Sequence, residues 1–167
     1  MFNIVLMQPE IPANTGNIAR SCAATGSRLH LVRPLGFDIS SSAVKRAGLD
    51  YWHLVEVRDY ASSGDFWCEN IDAWRRGERC FFLTTKAEKN YADVEFREGD
   101  WLFFGRETKG LPEKLLAANR ENCLRIPIRA EARSLNLSNS VAVVLFEALR
   151  QVDFAHMRGE GAMRDWK

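Results

Sequence analysis

The sequence is poor in the residues that most enzymes use to move protons or hold metals. Its only histidines are His30, His53 and His156, and no HExxH pair occurs. No acidic cluster has a metal-binding spacing, and no local Ser/His/Asp signature is present. A hydrolase or a metalloenzyme finds little support, and no metal is expected. The four cysteines, Cys22, Cys68, Cys80 and Cys123, include no CxxC pair. That disfavours a zinc site and a disulfide framework, and leaves reduced, mostly buried thiols as the expectation. No GKS/GKT phosphate loop and no GxGxxG after a strand are found, which disfavours ordinary nucleotide and dinucleotide sites. No apolar stretch approaches the roughly 20 residues that cross a bilayer. The opening "MFNIVLMQPE" lacks the basic segment of a signal peptide. A cytoplasmic protein without membrane contact is expected. The net charge is only +1, so any RNA must be held by local clusters of Arg and Lys.

What is present fits one compact domain. The chain has 167 residues, 46% of them hydrophobic, enough for a real core. A single domain is expected over residues 1–155, with a flexible tail at 156–167. Short apolar runs predict strands over 2–7, 28–32, 53–57, 80–85, 101–105 and 123–128. Several are apolar at every position, as in strands buried on both faces of a parallel sheet. Helix-length stretches lie between them, at 15–25, 40–48, 62–76, 112–119 and 138–153. The alternation predicts an α/β fold with a mainly parallel sheet flanked by helices.

Some elements carry further signals. The first helix is read as starting after the turn residues Asn14–Gly16 and stopping at Gly26. Ile18, Ala19, Cys22 and Ala23 share one of its faces, for packing on its sheet or on a second subunit. Pro112 and Glu113 mark the start of the helix at 112–119. Val141 to Phe146 is apolar without interruption, which predicts burial of the last helix from two directions, the sheet and a second subunit. His30 reads as a satisfied structural histidine, and His53 as the start of a strand.

Ligands of open α/β sheets bind at the carboxyl ends of strands, and the unusual residues collect there. Gly105 follows an aromatic strand, and Gly110 comes five residues later. In "RSLNLSNS" (133–140), Ser138 or Asn136 can cap the last helix. Capping does not use Ser134, Asn136, Ser138, Asn139 and Ser140 together, nor Arg125, Arg129 and Arg133 before them. Such a run suits a polar small molecule.

Three stretches resemble motifs of a known family. "NTGNIAR" (14–20), "FGRETKGLP" (104–112) and "IPIRAEARSLNLSNSVAVVLFEA" (126–148) are similar to motifs 1, 2 and 3 of the SPOUT RNA methyltransferases, TrmH branch. The opening stretch (3–20) and "RAGLDYW" (46–52) narrow the resemblance to the small single-domain tRNA 2′-O-methyltransferases of that branch. The resemblance spans residues 2–152. It implies a SPOUT fold with a deep C-terminal trefoil knot, bent S-adenosylmethionine as cofactor and a homodimer. It also implies methylation of the ribose 2′-hydroxyl of the wobble nucleotide, cytidine or modified uridine, in leucine tRNAs. The alternatives are another tRNA position, rRNA, or an RNA-binding dimer without turnover.

Residue by residue, the resemblance assigns cofactor contacts to Leu83, Gly105, Ile126 and Ser134, with Thr84, Glu107, Leu135 and Asn136 beside them. Arg20 matches the motif 1 arginine at the reaction centre. A guanidinium resists deprotonation, with a pKa above about 12. Its expected role is therefore to grip an RNA phosphate and stabilise the developing alkoxide. RNA contacts are expected at Asn14, Arg20, Lys45, Arg46, Arg129 and Arg133. Phe146 stands where close relatives often carry Tyr.

Overall fold

The computed structural model describes residues 1–39, 52–155 and 157–160. The helix expected at 40–48, Lys45, Arg46, His156 and residues 161–167 of the tail lie outside the described residues. Six parallel strands form one sheet: β1 (Asn3–Met7), β2 (Arg28–Val32), β3 (Val57–Tyr60), β4 (Cys80–Leu83), β5 (Trp101–Phe104) and β6 (Cys123–Leu124). Their spatial order is β3-β2-β1-β5-β4-β6.

Side chains alternate across each strand, and the two faces build two cores. Ile4, Leu6, Leu102 and Phe104 pack beneath α1 (Pro12–Thr25) and α5 (Leu137–Gln151). Val5, Met7, Trp101 and Phe103 pack on the opposite face. There they meet α2 (Ser63–Glu69), α3 (Ile71–Arg75) and α4 (Glu113–Ala118). β1 and β5 are buried at every position, as a sheet covered on both faces requires.

Four sequence expectations shift. The strand expected at 53–57 is a 3-10 turn over Trp52–Leu54, so His53 starts no strand, and β3 begins only at Val57. This edge strand reads Val-Arg-Asp-Tyr. Ion pairs Arg28–Glu56, Arg58–Glu56 and Arg33–Asp59 dress the edge, so hydrophobic patterning does not reveal it. The helix expected at 62–76 breaks at Asn70, whose Nδ2 donates to the Phe66 carbonyl at 2.8 Å. The strand expected at 123–128 pairs with β4 only at Cys123 and Leu124, with one further bridge from Arg125 to Asn90. Pro127 has no amide hydrogen to extend a ladder, and Ile126 and Ile128 turn toward a cavity. Finally, α1 starts at Pro12 rather than after Asn14–Gly16, because proline at its first turn presets the helical φ.

His30 is a satisfied core histidine. Its Nδ1 lies 2.8 Å from the Tyr60 hydroxyl and its Nε2 3.4 Å from Asn3 Oδ1. Cys22 and Cys123 are buried, Cys80 is partly covered and Cys68 is exposed; all four are free thiols.

Candidate active site

The strand register lines up Leu6, Phe104, Leu83 and Leu124 in one row. The chain therefore leaves β1, β5, β4 and β6 at the same end of the sheet. The winding direction reverses between β1 and β5: the chain runs from β1 to β2 and β3 on one side, and places β5, β4 and β6 on the other. Such a switch point opens a crevice beyond the strand ends.

A cavity of about 610 Å³ occupies this position. Leu83, Thr84, Gly105, Glu107, Ile126, Ser134, Leu135 and Asn136, the eight expected cofactor residues, all line it. Asn14 and Arg133 line it too. Arg20 does not. It is exposed on the outer face of α1, in a stripe with Ala13, Asn17 and Ala24. Arg129 is exposed and pairs loosely with Glu131 at 3.5 Å.

The loop after β5 gives the cavity its shape. Arg106 and Gly110 exchange backbone hydrogen bonds of 3.2 and 2.8 Å, closing a tight turn. The turn folds back onto Gly105, where an added Cβ would sit 2.0 Å from the Gly110 carbonyl carbon and 2.1 Å from the Leu111 nitrogen. Only glycine fits there. Gly110 itself has φ +68°, in the left-handed region.

Side chains clasp this loop to the segment between β1 and α1. Glu107 accepts from the amides of Glu10 (2.8 Å) and Ile11 (3.2 Å) and from Asn14 Nδ2 (3.0 Å). Glu10 in turn accepts from the Thr108 amide at 3.0 Å and from its hydroxyl at 2.8 Å. These bonds hold the Glu10 carboxyl below the usual carboxylate range. The Arg106 guanidinium donates to Gln8 Oε1, and Gln8 is held at φ 57°. Asn136 Nδ2 donates to Asn14 Oδ1 at 2.9 Å, tying the third motif to the first. Sequence reasoning missed Gln8, Glu10, Arg106 and Thr108 as bracing residues. Their partners lie about a hundred positions away, and no local spacing signals them.

The chemistry available is limited. Among the described residues no histidine lines the cavity, and Glu107 is its one lining carboxylate. Burial raises the Cys22 thiol and pushes Cys80 up to about 12, so neither is a thiolate nucleophile at neutral pH. Among the described residues no His/Cys/Asp/Glu group could hold a metal. The walls pair an apolar slot, from Leu83, Ile126, Ile128 and Leu135, with hydroxyls of Thr84, Ser134 and Ser140. Lys86, Lys109 and Arg133 add cationic groups to the lining. This suits a cofactor with a flat apolar ring and a polar tail, lying where a polyanion can approach.

A parallel α/β sheet with a cofactor-sized cavity at its switch point defines the class: an α/β protein that binds its ligand beyond the strand ends. Within that class the chain belongs to the SpoU rRNA methylase family, which it matches over residues 1–146. It is 51% identical over 156 residues to the tRNA (cytidine(34)-2'-O)-methyltransferase of Methylovorus glucosotrophus strain SIP3-4, covering 93% of this chain and 98% of that protein. A solved structure concerned with 2-OH methylation of C/U34 on tRNA matches with TM-score 0.84 at 48% identity, over 92% of this chain and 97% of that one. An AdoMet-bound rRNA methyltransferase from Sinorhizobium meliloti matches with TM-score 0.77 at 26% identity, over 90% of this chain and 56% of that one.

Proposed function

We propose that the protein transfers a methyl group from S-adenosylmethionine to the ribose 2′-hydroxyl of the wobble nucleotide, a cytidine or modified uridine, in leucine tRNAs. The observation that carries this reading is the convergence of the eight expected cofactor residues on one cavity at the switch point. The relative from Methylovorus, named for cytidine 34 of tRNA, supports the position. The leucine preference rests on the family resemblance.

When bound, S-adenosylmethionine supplies a methyl group on a positively charged sulfur. Leu83, Ile126 and Leu135 offer its adenine an apolar slot. Thr84, Ser134 and the backbone around Gly105 take its polar groups. The chemistry it would supply is balanced: the ribose oxygen would take the methyl carbon, and sulfur would keep the electron pair of the carbon–sulfur bond. The hydroxyl proton passes to an RNA phosphate or water, and Arg20 stabilises the oxygen as negative charge develops. In-line placement dominates such a transfer, so a cavity whose described lining holds no histidine is adequate.

The reading includes a homodimer. On α5, Asn139, Val143, Phe146 and Arg150 form an outward stripe, and Val143 and Phe146 are 37% and 44% exposed. α5 packs beside α1, so this stripe and that of Arg20 suit one interface. A second copy then brings its Arg20 toward the cavity this chain's own Arg20 does not line. Arg20, Lys45, Arg46, Arg129 and Arg133 grip the RNA, with affinity falling as salt rises. The reading also includes the trefoil knot. Residues 125–136 return from the β6 edge to bond Asn14 at the start of α1, which supports that reading.

The test is methylation of bulk tRNA by the purified protein, followed by nucleoside mapping. Leucine tRNAs should gain a 2′-O-methyl group at position 34; methylation only elsewhere overturns the substrate. Arg20→Ala should lower turnover by about 100-fold or more while calorimetry still shows cofactor binding.

A further inference from the structure

α1 lacks a cap of its own. Its N-cap residue is Ile11, with no side-chain bond to the helix, and its first turn holds no acid. Glu107 supplies the acid from the other loop, accepting from the amide of the N-cap residue Ile11 and from that of Glu10 before it, near the positive end of the helix dipole. The same carboxylate takes Asn14 Nδ2 at 3.0 Å. Asn14 is only 5% exposed, and its Oδ1 accepts from Asn136 Nδ2 at 2.9 Å. Asn136 Oδ1 then caps α5, accepting from the amides of Ser138 (2.9 Å) and Asn139 (3.3 Å).

This chain of bonds has a fixed polarity. A carboxylate only accepts, a backbone amide only donates, and each asparagine side chain has one end of each kind. With a carboxylate at the head and amides at the foot, both asparagines have one orientation that satisfies every bond. We propose that Glu107, Asn14 and Asn136, which all line the cavity, are a positioning relay that acts through the loops they join. Glu107 locks the start of α1, which carries Arg20, to the start of α5, which closes the cavity. The Glu10–Thr108 and Gln8–Arg106 pairs brace the same loops. The catalytic part of this inference rests on the proposed methyl transfer; the relay itself does not.

Glu107→Leu tests it, because a side chain of similar size removes both acceptor oxygens at the head of the relay. Turnover should fall by about tenfold or more, with KM for tRNA and Kd for S-adenosylmethionine within about threefold of wild type. Hydrogen exchange of the cofactor-free protein should show the amides of Glu10 and Ile11 opening about tenfold faster or more. Asn136→Ser, which can still cap α5 but is too short to reach Asn14, should lose turnover while Ser138 and Asn139 stay protected. A cofactor Kd raised more than about tenfold, with turnover at saturating cofactor unchanged, would make Glu107 a ligand contact and overturn the relay. Unchanged exchange at Glu10 and Ile11 in Glu107→Leu overturns it as well. If wild type methylates no tRNA, the proposed reaction fails, and the exchange measurement still upholds or sinks the relay.

Discussion

Gly105 shows how much one residue's size decides. The loop after β5 is pressed so close that a methyl group would overlap the Gly110–Leu111 peptide. Gly105→Ala should destabilise the protein by about 2 kcal/mol or more and abolish cofactor binding, as read by urea denaturation and calorimetry. The sequence marked Gly105 as unusual, but not what lies against it. His30 sets a pH dependence. Burial, with the nearby Arg58 and Arg28, lowers its pKa from 6.5 to about 3. Below pH 6.5 the unfolded chain gains a proton that the folded chain refuses, so stability falls as pH drops toward 3. The slope should approach about 1.4 kcal/mol per pH unit from this one group. His30→Gln should flatten the unfolding free energy across that window.

At the scale of elements, the two helices on the site's side of the sheet start in different ways. The cap of α5 is local: Asn136 and the amides it binds are neighbours in sequence, so the Ser/Asn run announced it. Asn136→Ala should cost about 1–2 kcal/mol, measured by chemical denaturation, through loss of the cap. The acid at the start of α1 comes from Glu107, and no window of sequence contains both partners. Pro12 is the local signal of where α1 starts, and Asn14 lies inside the helix rather than in a turn. Strands showed the same division. The central strands, apolar on both faces, were legible. β3 was displaced in the reading because ion pairs rather than apolar burial hold its edge.

The whole molecule presents an outer surface built by α1 and α5, with Val143 and Phe146 exposed beside the Arg20 stripe. Val143→Asp combined with Phe146→Asp should give a monomeric mass in light scattering at micromolar concentration, with turnover lost. Mixed with Gly105→Ala chains, Arg20→Ala chains should recover part of the activity if each cavity borrows the partner's arginine; no recovery would place Arg20 in its own chain's site. The sequence by itself determined the α/β class, the buried strands, the three motifs and the residues expected at the cofactor. The class and the strands are written in hydrophobic period and short-range spacing, and the motifs and cofactor residues in their resemblance to the SPOUT family. Only the tertiary structure decided that the motifs share one cavity, that Arg20 stands outside its wall, and that Glu107, Asn14 and Asn136 bond in series. Those facts depend on which distant loops the parallel sheet brings to the same end. Hydrogen bonds between residues about a hundred positions apart leave no local trace in the chain that makes them.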